Sequence, residues 1–311
     1  MGRIYNMSKK SRQPRAPKAI PDAPPADGIK TNENITPADK QKGKKMPKQP
    51  PVGEIFVDFW ATSLHLAKIG VLQNVRYQAA SRAFTKDFVI NGAIQRDGKD
   101  FGFLGYRKDA WDEAKTPNRR LVMKFFKQDP DKEEKIDHEG TVEWMMLESV
   151  RASISCGMPL LTFRLLVPGS NVVCDLKREH TKFTKHGENW SFITPVTEDE
   201  FQIIELDEDR FTIGSDWEVR DQTRKVIAYI DESVFNVGGK FKILFFDKNW
   251  YKEQDFVTRL ILFCMTLKYH EELEKEVEKI IDGLRKGTMK LIPSHDEKTL
   301  LLNPRTWGRK A

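Results

Sequence analysis

Phe256-Val257-Thr258-Arg259-Leu260-Ile261-Leu262-Phe263-Cys264-Met265-Thr266-Leu267 is the stretch whose reading decides the fold. It lies within Glu253–Leu284, which holds no proline and no glycine before Gly283, so the spacing predicts one long helix. Apolar residues occupy nearly every face of the quoted half, and Arg259 is its only charge. A helix apolar all round has to be buried all round. A dozen residues give roughly 18 Å of helix, too short for a bilayer core of about 30 Å. Arg259 and Lys268 speak against a membrane span for the same segment. The expected surroundings are therefore a protein interior, with the helix threaded through a sheet or barrel. From Tyr269 onward the helix turns amphipathic and rich in Glu and Lys.

Upstream the period is that of strands. Short β-segments are expected at 88–91, 101–106, 120–126, 141–147, 160–167, 172–176, 190–194, 201–206, 210–213, 217–220, 225–230 and 241–246. Turn signals separate them: Arg96-Asp97-Gly98-Lys99, Pro168-Gly169-Ser170-Asn171, His186-Gly187-Glu188-Asn189 and Gly238-Gly239. A dozen short strands so punctuated argue for an antiparallel sandwich or barrel. The acidic stretch Asp129–Glu139 reads as a solvated loop. Phe88–Leu104 and Trp217–Ile230 each read as strand, polar turn and strand, the pattern of any hairpin. Ahead of the strands, residues 54–85 read as helix, because Phe56, Trp60, Leu64, Ala67, Val71 and Val75 recur at helical spacing, with Gly70 as the candidate break into two pieces. The aromatic-rich front of that segment suits packing on the barrel better than insertion at a membrane interface.

The chain has 311 residues with 52 Lys+Arg against 46 Asp+Glu, and the excess is uneven. Residues 1–50 carry 12 basic and 4 acidic side chains, leaving 40 basic and 42 acidic ones in 51–311. The first 51 residues also hold nine of the sixteen prolines, and no aromatic residue occurs between Tyr5 and Phe56. Such a segment cannot bury enough apolar surface to offset its ordering entropy and is expected to be disordered. Its first 21 residues contain Arg3, Lys9, Lys10, Arg12, Arg15 and Lys18 and no acid. Each basic residue held near an anionic leaflet is worth about 1 kcal/mol before ordering costs. Lys9, Lys10, Arg12, Arg15 and Lys18 are the candidate contact patch for a lipid surface or another polyanion; a plain spacer tail is the bland alternative. Asn6 stands where a myristoylation signal has Ser or Thr. Prolines 14, 17, 21, 24 and 25 break the amphipathic helix of a mitochondrial leader.

The remaining chemistry is sparse. Cys156, Cys174 and Cys264 are far apart and odd in number, which excludes a disulfide scaffold and a cysteine-built zinc site. No apolar secretory h-region precedes the strands, so a reducing, cytoplasmic setting is expected. His270-Glu271-Glu272-Leu273-Glu274 lacks the second histidine of a zinc-binding HExxH helix. His180 and His186 sit in a Lys-rich stretch without a carboxylate pattern. The GGK of Gly238-Gly239-Lys240 is a hairpin turn, not a P-loop. Asp207-Glu208-Asp209 reads as solvated turn acids. No catalytic residue, metal site or cofactor is assigned.

The order of features over residues 209–284 resembles the tubby-like barrel superfamily, which includes the phospholipid scramblases and the LURP-one-related proteins. The residues carrying the resemblance are Phe211-Thr212-Ile213-Gly214, Trp217-Glu218-Val219-Arg220-Asp221 and Lys225-Val226-Ile227-Ala228-Tyr229-Ile230. Phe235, Gly238-Gly239, Phe241-Lys242-Ile243-Leu244-Phe245 and the apolar helix from Phe256 complete the run. The resemblance implies a twelve-stranded barrel filled by its terminal helix and a lipid-associated, non-catalytic role. The chain departs from scramblases in lacking a cysteine-rich palmitoylation run and in continuing for 27 residues past Leu284. No motif for the phosphoinositide-binding basic residues of tubby proteins can be located.

The expected fold is α+β: an antiparallel β-barrel around a buried hydrophobic C-terminal helix, with a disordered basic tail. The divisions are a tail at 1–52, a helical segment at 53–86 packing on the barrel, a tubby-like barrel at 87–295 with its central helix at 253–284, and a C-terminal tail at 296–311. The expected function is non-catalytic binding at an anionic phospholipid membrane surface, peripherally, or to partner proteins. The alternative is a nucleic-acid-associated protein using the tail non-specifically; the near-neutral body speaks against a folded nucleic-acid face.

Overall fold

The computed structural model of the chain describes residues 49–59, 81–129, 132–170, 172–179, 188–196, 200–209, 215–232, 239–293 and 297–298, all within the unit Gly43–Ala311. Twelve strands close into a barrel: β1 (Gly53–Phe59), β2 (Phe88–Arg96), β3 (Lys99–Arg107), β4 (Val122–Asp129), β5 (Lys132–Trp144) and β6 (Thr162–Leu166) form one half. β7 (Cys174–Arg178), β8 (Asn189–Pro195), β9 (Phe201–Asp209), β10 (Asp216–Arg220), β11 (Val226–Glu232) and β12 (Lys240–Phe245) form the other. Each strand pairs antiparallel with its sequence neighbours, and β1 closes the ring against β12 with Ile55 opposite Ile243 and Val57 opposite Phe241. Full closure leaves no strand edge to template aggregation.

Among the described residues, four helices join this wall: α1 (Lys108–Trp111), α2 (Met146–Cys156), α3 (Lys248–Lys252) and α4 (Gln254–Arg285). In α4 every residue from Phe256 through Thr266 is buried, about 16 Å of helix enclosed on all sides. Inward side chains from all twelve strands join that stretch in one core, from Ile55 and Leu104 through Trp190 and Trp217 to Phe245. The barrel is thus built around its own C-terminal helix, which fills the lumen. Burying each Leu, Ile or Phe there contributes about 1.5–3 kcal/mol. Beyond Thr266 burial narrows to a stripe, Leu273, Glu276, Val277, Ile280 and Ile281, with α2 among the elements that α4 touches.

Gly140 of β5 marks where the helix presses on the wall. A Cβ at that position would lie 2.8 Å from Thr258 Cγ2 and 3.0 Å from Leu262 Cδ1. Gly140→Val therefore pushes α4 off its seat, with an expected loss of about 1–3 kcal/mol for overpacking, read from a urea-denaturation midpoint.

Three sequence expectations are corrected. Residues 53–59 are strand β1, not the start of a helix: Ile55, Val57 and Phe59 alternate into the core, and closure against β12 and β2 outweighs the helical recurrence of Phe56 with later residues. The rest of the proposed helix, 60–80, lies outside the described residues, and 81–87 form turns. The acidic stretch is not a loop, because residues 132–139 belong to β5. Its backbone pairs with β4, Ile136 buries itself in an outer apolar cluster with Phe103 and Phe126, and Lys135 and Asp137 stay exposed, meeting at 3.0 Å. The strand expected to reach Leu147 ends at Trp144, where α2 begins. α2 hides Ser149 and Ser153, whose hydroxyls bond the Met145 and Ser149 carbonyls, and stops at Gly157 with φ of 76°. Residues 1–48 of the tail, the 210–213 strand and the last thirteen residues lie outside the described residues.

Candidate functional site

The alternation of the wall carries the site. Inward positions run Glu188, Trp190, Phe192 into β8; Ile204, Leu206, Glu208 along β9; and Ala228, Ile230, Glu232 along β11. One step of two residues beyond the apolar layer, the inward side chain becomes a carboxylate on three strands at the same rim. Registry aligns them: Trp190 faces Leu206, Glu208 faces Trp217, and Trp217 faces Ile230. α4 leaves the barrel through this rim, adding Leu267, Lys268 and His270. Between helix and wall lies a cleft of about 360 Å³, with Glu188, Glu208, Glu232, Trp217 and Phe241 among its lining residues.

One side of the cleft is a charge network. His270 Nε2 lies 3.2 Å from Glu188 Oε1 and 3.9 Å from Glu274 Oε1. Arg178, at the end of β7, reaches Glu188 at 2.5 Å and also pairs with Glu274. The Glu188 backbone N–H donates to Glu208 Oε2 at 2.8 Å, and Trp190 Nε1 donates to Glu188 Oε2 at 3.4 Å. These bonds tie β7, β8 and β9 to the emerging helix. Burial alone disfavours the His270 imidazolium, but the Glu188 and Glu274 carboxylates outweigh it and raise its pKa above the ordinary 6.5. Burial likewise pushes Glu188 upward, yet His270 and Arg178 prevail and hold it below the usual carboxylate range.

Glu188, His270 and Glu274 place ligand atoms within 4.8 Å of one another, a spacing that suits a metal ion. The Arg178 guanidinium already supplies the positive charge there, so the trio reads as an ion-pair knot. Because the His270 pKa is raised, its stabilisation is fully present below pH 6.5 and is lost as pH rises through the raised value. The Glu188 contribution is lost instead as pH falls through its depressed value. The groups facing the imidazole are Glu188, Glu274, Arg178 and, across the cleft, Glu232. The stability gap between the native chain and His270→Gln should therefore narrow from pH 6 to pH 9, as measured by paired thermal melts. A constant gap contradicts the ion-pair reading.

At the opposite rim, where α4 enters, fully buried Arg259 reaches Asp255 at 3.5 Å and the hydroxyls of Thr194 and Ser170 at 3.3 Å. It answers the sequence puzzle of a lone charge in an apolar helix: the side chain finds polar groups of the rim.

The structure does not bring the expected site residues into view. Lys9, Lys10, Arg12, Arg15 and Lys18 lie outside the described residues, as do His180 and His186. The sequence reading missed the acidic rim, taking Glu208 for a turn acid and judging His270 only against a zinc motif. The available signal was the period-2 continuation Leu206–Glu208 and Ile230–Glu232, which the strand reading stopped short of. The three cysteines are free, with Cys174 and Cys264 buried. No described helix is long and apolar enough to cross a membrane.

Fold and site together define the class: a closed twelve-stranded antiparallel barrel, plugged by its own terminal helix, with a charged cleft at the rim the helix leaves. Comparisons with protein-family models, with curated proteins and with solved structures find no match for the chain.

Proposed function

We propose that the chain is a non-catalytic adaptor of the tubby-like barrel type, tethered to anionic phospholipid by its basic tail. The observation carrying this reading is the filled lumen: Phe256–Thr266 occupy the space where a lipocalin-like barrel holds a ligand. Binding is then left to the rims, the outer wall and the tail. The +8 of residues 1–50 beside a near-neutral body supports an electrostatic tether, because the positive field is concentrated in one segment. The twelve strands, the terminal hydrophobic helix and the residue run from Trp217 to Phe245 support the tubby-like kinship. Barrel and tail divide the work: the tail supplies weak, salt-sensitive membrane affinity, and the barrel presents a rigid surface to a partner.

Competition tests this. Full-length protein sedimenting with phosphatidylserine-containing vesicles at low salt should be released at high salt, and duplex DNA should compete poorly. Preferential capture by DNA would replace the membrane reading with the nucleic-acid one.

A further inference from the structure

The ring is closed, but its strands end at different heights. β9 pairs with β8 as far as Phe201 opposite Pro195, whereas its pairing with β10 stops at Glu205 opposite Arg220. Closure removes the long edge of the sheet, not this short one, where Phe201–Ile204 run on past β10. Their backbone orientation follows from the hairpin. The Val196 N–H bonds the Glu200 carbonyl at 2.8 Å, and the Glu208 N–H bonds the Glu188 carbonyl at 2.9 Å. Hydrogen-bonded pairs alternate along an antiparallel ladder, so the even-numbered residues of β9 turn their N–H and C=O toward β8. Phe201, Ile203, Glu205 and Asp207 turn theirs away. Arg220 and Glu218 of β10 meet the last two; among the described residues no backbone group pairs with Phe201 or Ile203 on that side.

The hairpin is also apolar on its outside. Ile193 faces Ile203 and Pro195 faces Phe201, so these four share the outer face, while Phe192, Thr194 and Ile204 are buried on the inner one. Ile193, Val196, Phe201 and Ile203 are four of the nine large apolar side chains exposed among the described residues, a cluster rather than an ordinary scatter. Residues 189–209 carry seven acidic and no basic side chains, with Arg220 of β10 answering Asp207 at 3.4 Å.

We propose that β9 accepts an extended segment of a partner protein as an added strand beyond β10, hydrogen-bonded to Phe201 and Ile203. Main-chain bonds supply the affinity of such an addition, and alternate side chains supply the choice. Apolar residues of the segment extend the outer face, and Lys or Arg between them answer the acid excess. That excess repels an anionic bilayer and a second copy of the same hairpin.

As the partner surface of the adaptor, this edge rests on that reading, but Ile203→Pro should leave vesicle binding by the tail unchanged, so the two fail separately. The probe is labelled acetyl-Lys-Val-Lys-Val-Lys-Val-Lys-amide, titrated into the full chain by fluorescence anisotropy. Saturable binding is expected. Ile203→Pro deletes an outward N–H and spares the ladder to β8, so binding should weaken about tenfold, the worth of one hydrogen bond near the top of its range, with an unchanged melt. N-methylation of the three valines blocks the bonds from the peptide side and should cost at least as much, which keeps the test open if the proline variant unfolds. Replacing the peptide's lysines by glutamate should also weaken binding at least tenfold. Absence of saturable binding, or equal binding of the N-methylated or the glutamate peptide, would overturn the proposal. So would a dimer in sedimentation equilibrium that Ile203→Pro dissolves, because a second copy would then hold the edge.

Discussion

Truncating Phe263 to alanine is expected to remove about 3–5 kcal/mol of stability, shown by a lower urea midpoint with an unchanged slope. Phe263 is fully buried at the middle of the enclosed helix, its ring 5.2 Å from Trp217 in an edge-to-face arrangement and 6.1 Å from Trp190. Deleting it loses the transfer free energy of the ring and leaves a cavity between helix and wall that rigid, closed strands cannot collapse to fill. Against a total stability of about 5–15 kcal/mol for ordinary domains, the loss is a large fraction. Lys275→Ala, on the exposed side of the same helix, serves as the control. A change for Phe263→Ala within about 0.5 kcal/mol, the range of surface substitutions, would mean that the helix does not occupy the lumen.

The sequence was most readable where one physical requirement dominated. An all-round apolar helix too short to span a bilayer has a single class of solution, enclosure by protein, so the burial of Phe256–Thr266 followed from composition along twelve residues. Most strands were legible from alternation and turn residues, though their ends drifted where registry with a neighbour, rather than local pattern, sets the boundary. β1 was misread because Phe56, Trp60 and Leu64 recur at helical spacing, while the deciding partners, β12 and β2, are distant in sequence. The charged half of β5 was misread because a strand can carry charge on its outer face when the partner strand holds its backbone. The acidic rim was hidden for a related reason: Glu188, Glu208 and Glu232 are 20 and 24 residues apart and meet only through barrel closure. His270 joins them from a helix whose path is set by the barrel.

Neutralising Lys9, Lys10, Arg12, Arg15 and Lys18 together has the largest expected effect on function. At about 1 kcal/mol each, the five charges amount to roughly three orders of magnitude in membrane affinity before ordering costs. The five positions are far from the barrel core in sequence, and the substitutions should leave the melting temperature unchanged. Screening should mimic the substitution, because exposed charges lose their reach as the Debye length shrinks to about 8 Å at physiological salt.

Co-sedimentation of the full-length chain and its five-fold glutamine variant with phosphatidylserine-containing and purely zwitterionic vesicles tests the tether most directly. The expected result is strong, salt-sensitive binding of the native chain to the anionic vesicles alone, with the variant left in the supernatant. Equal sedimentation of the two chains, or binding indifferent to lipid charge, would contradict a tail-borne electrostatic tether.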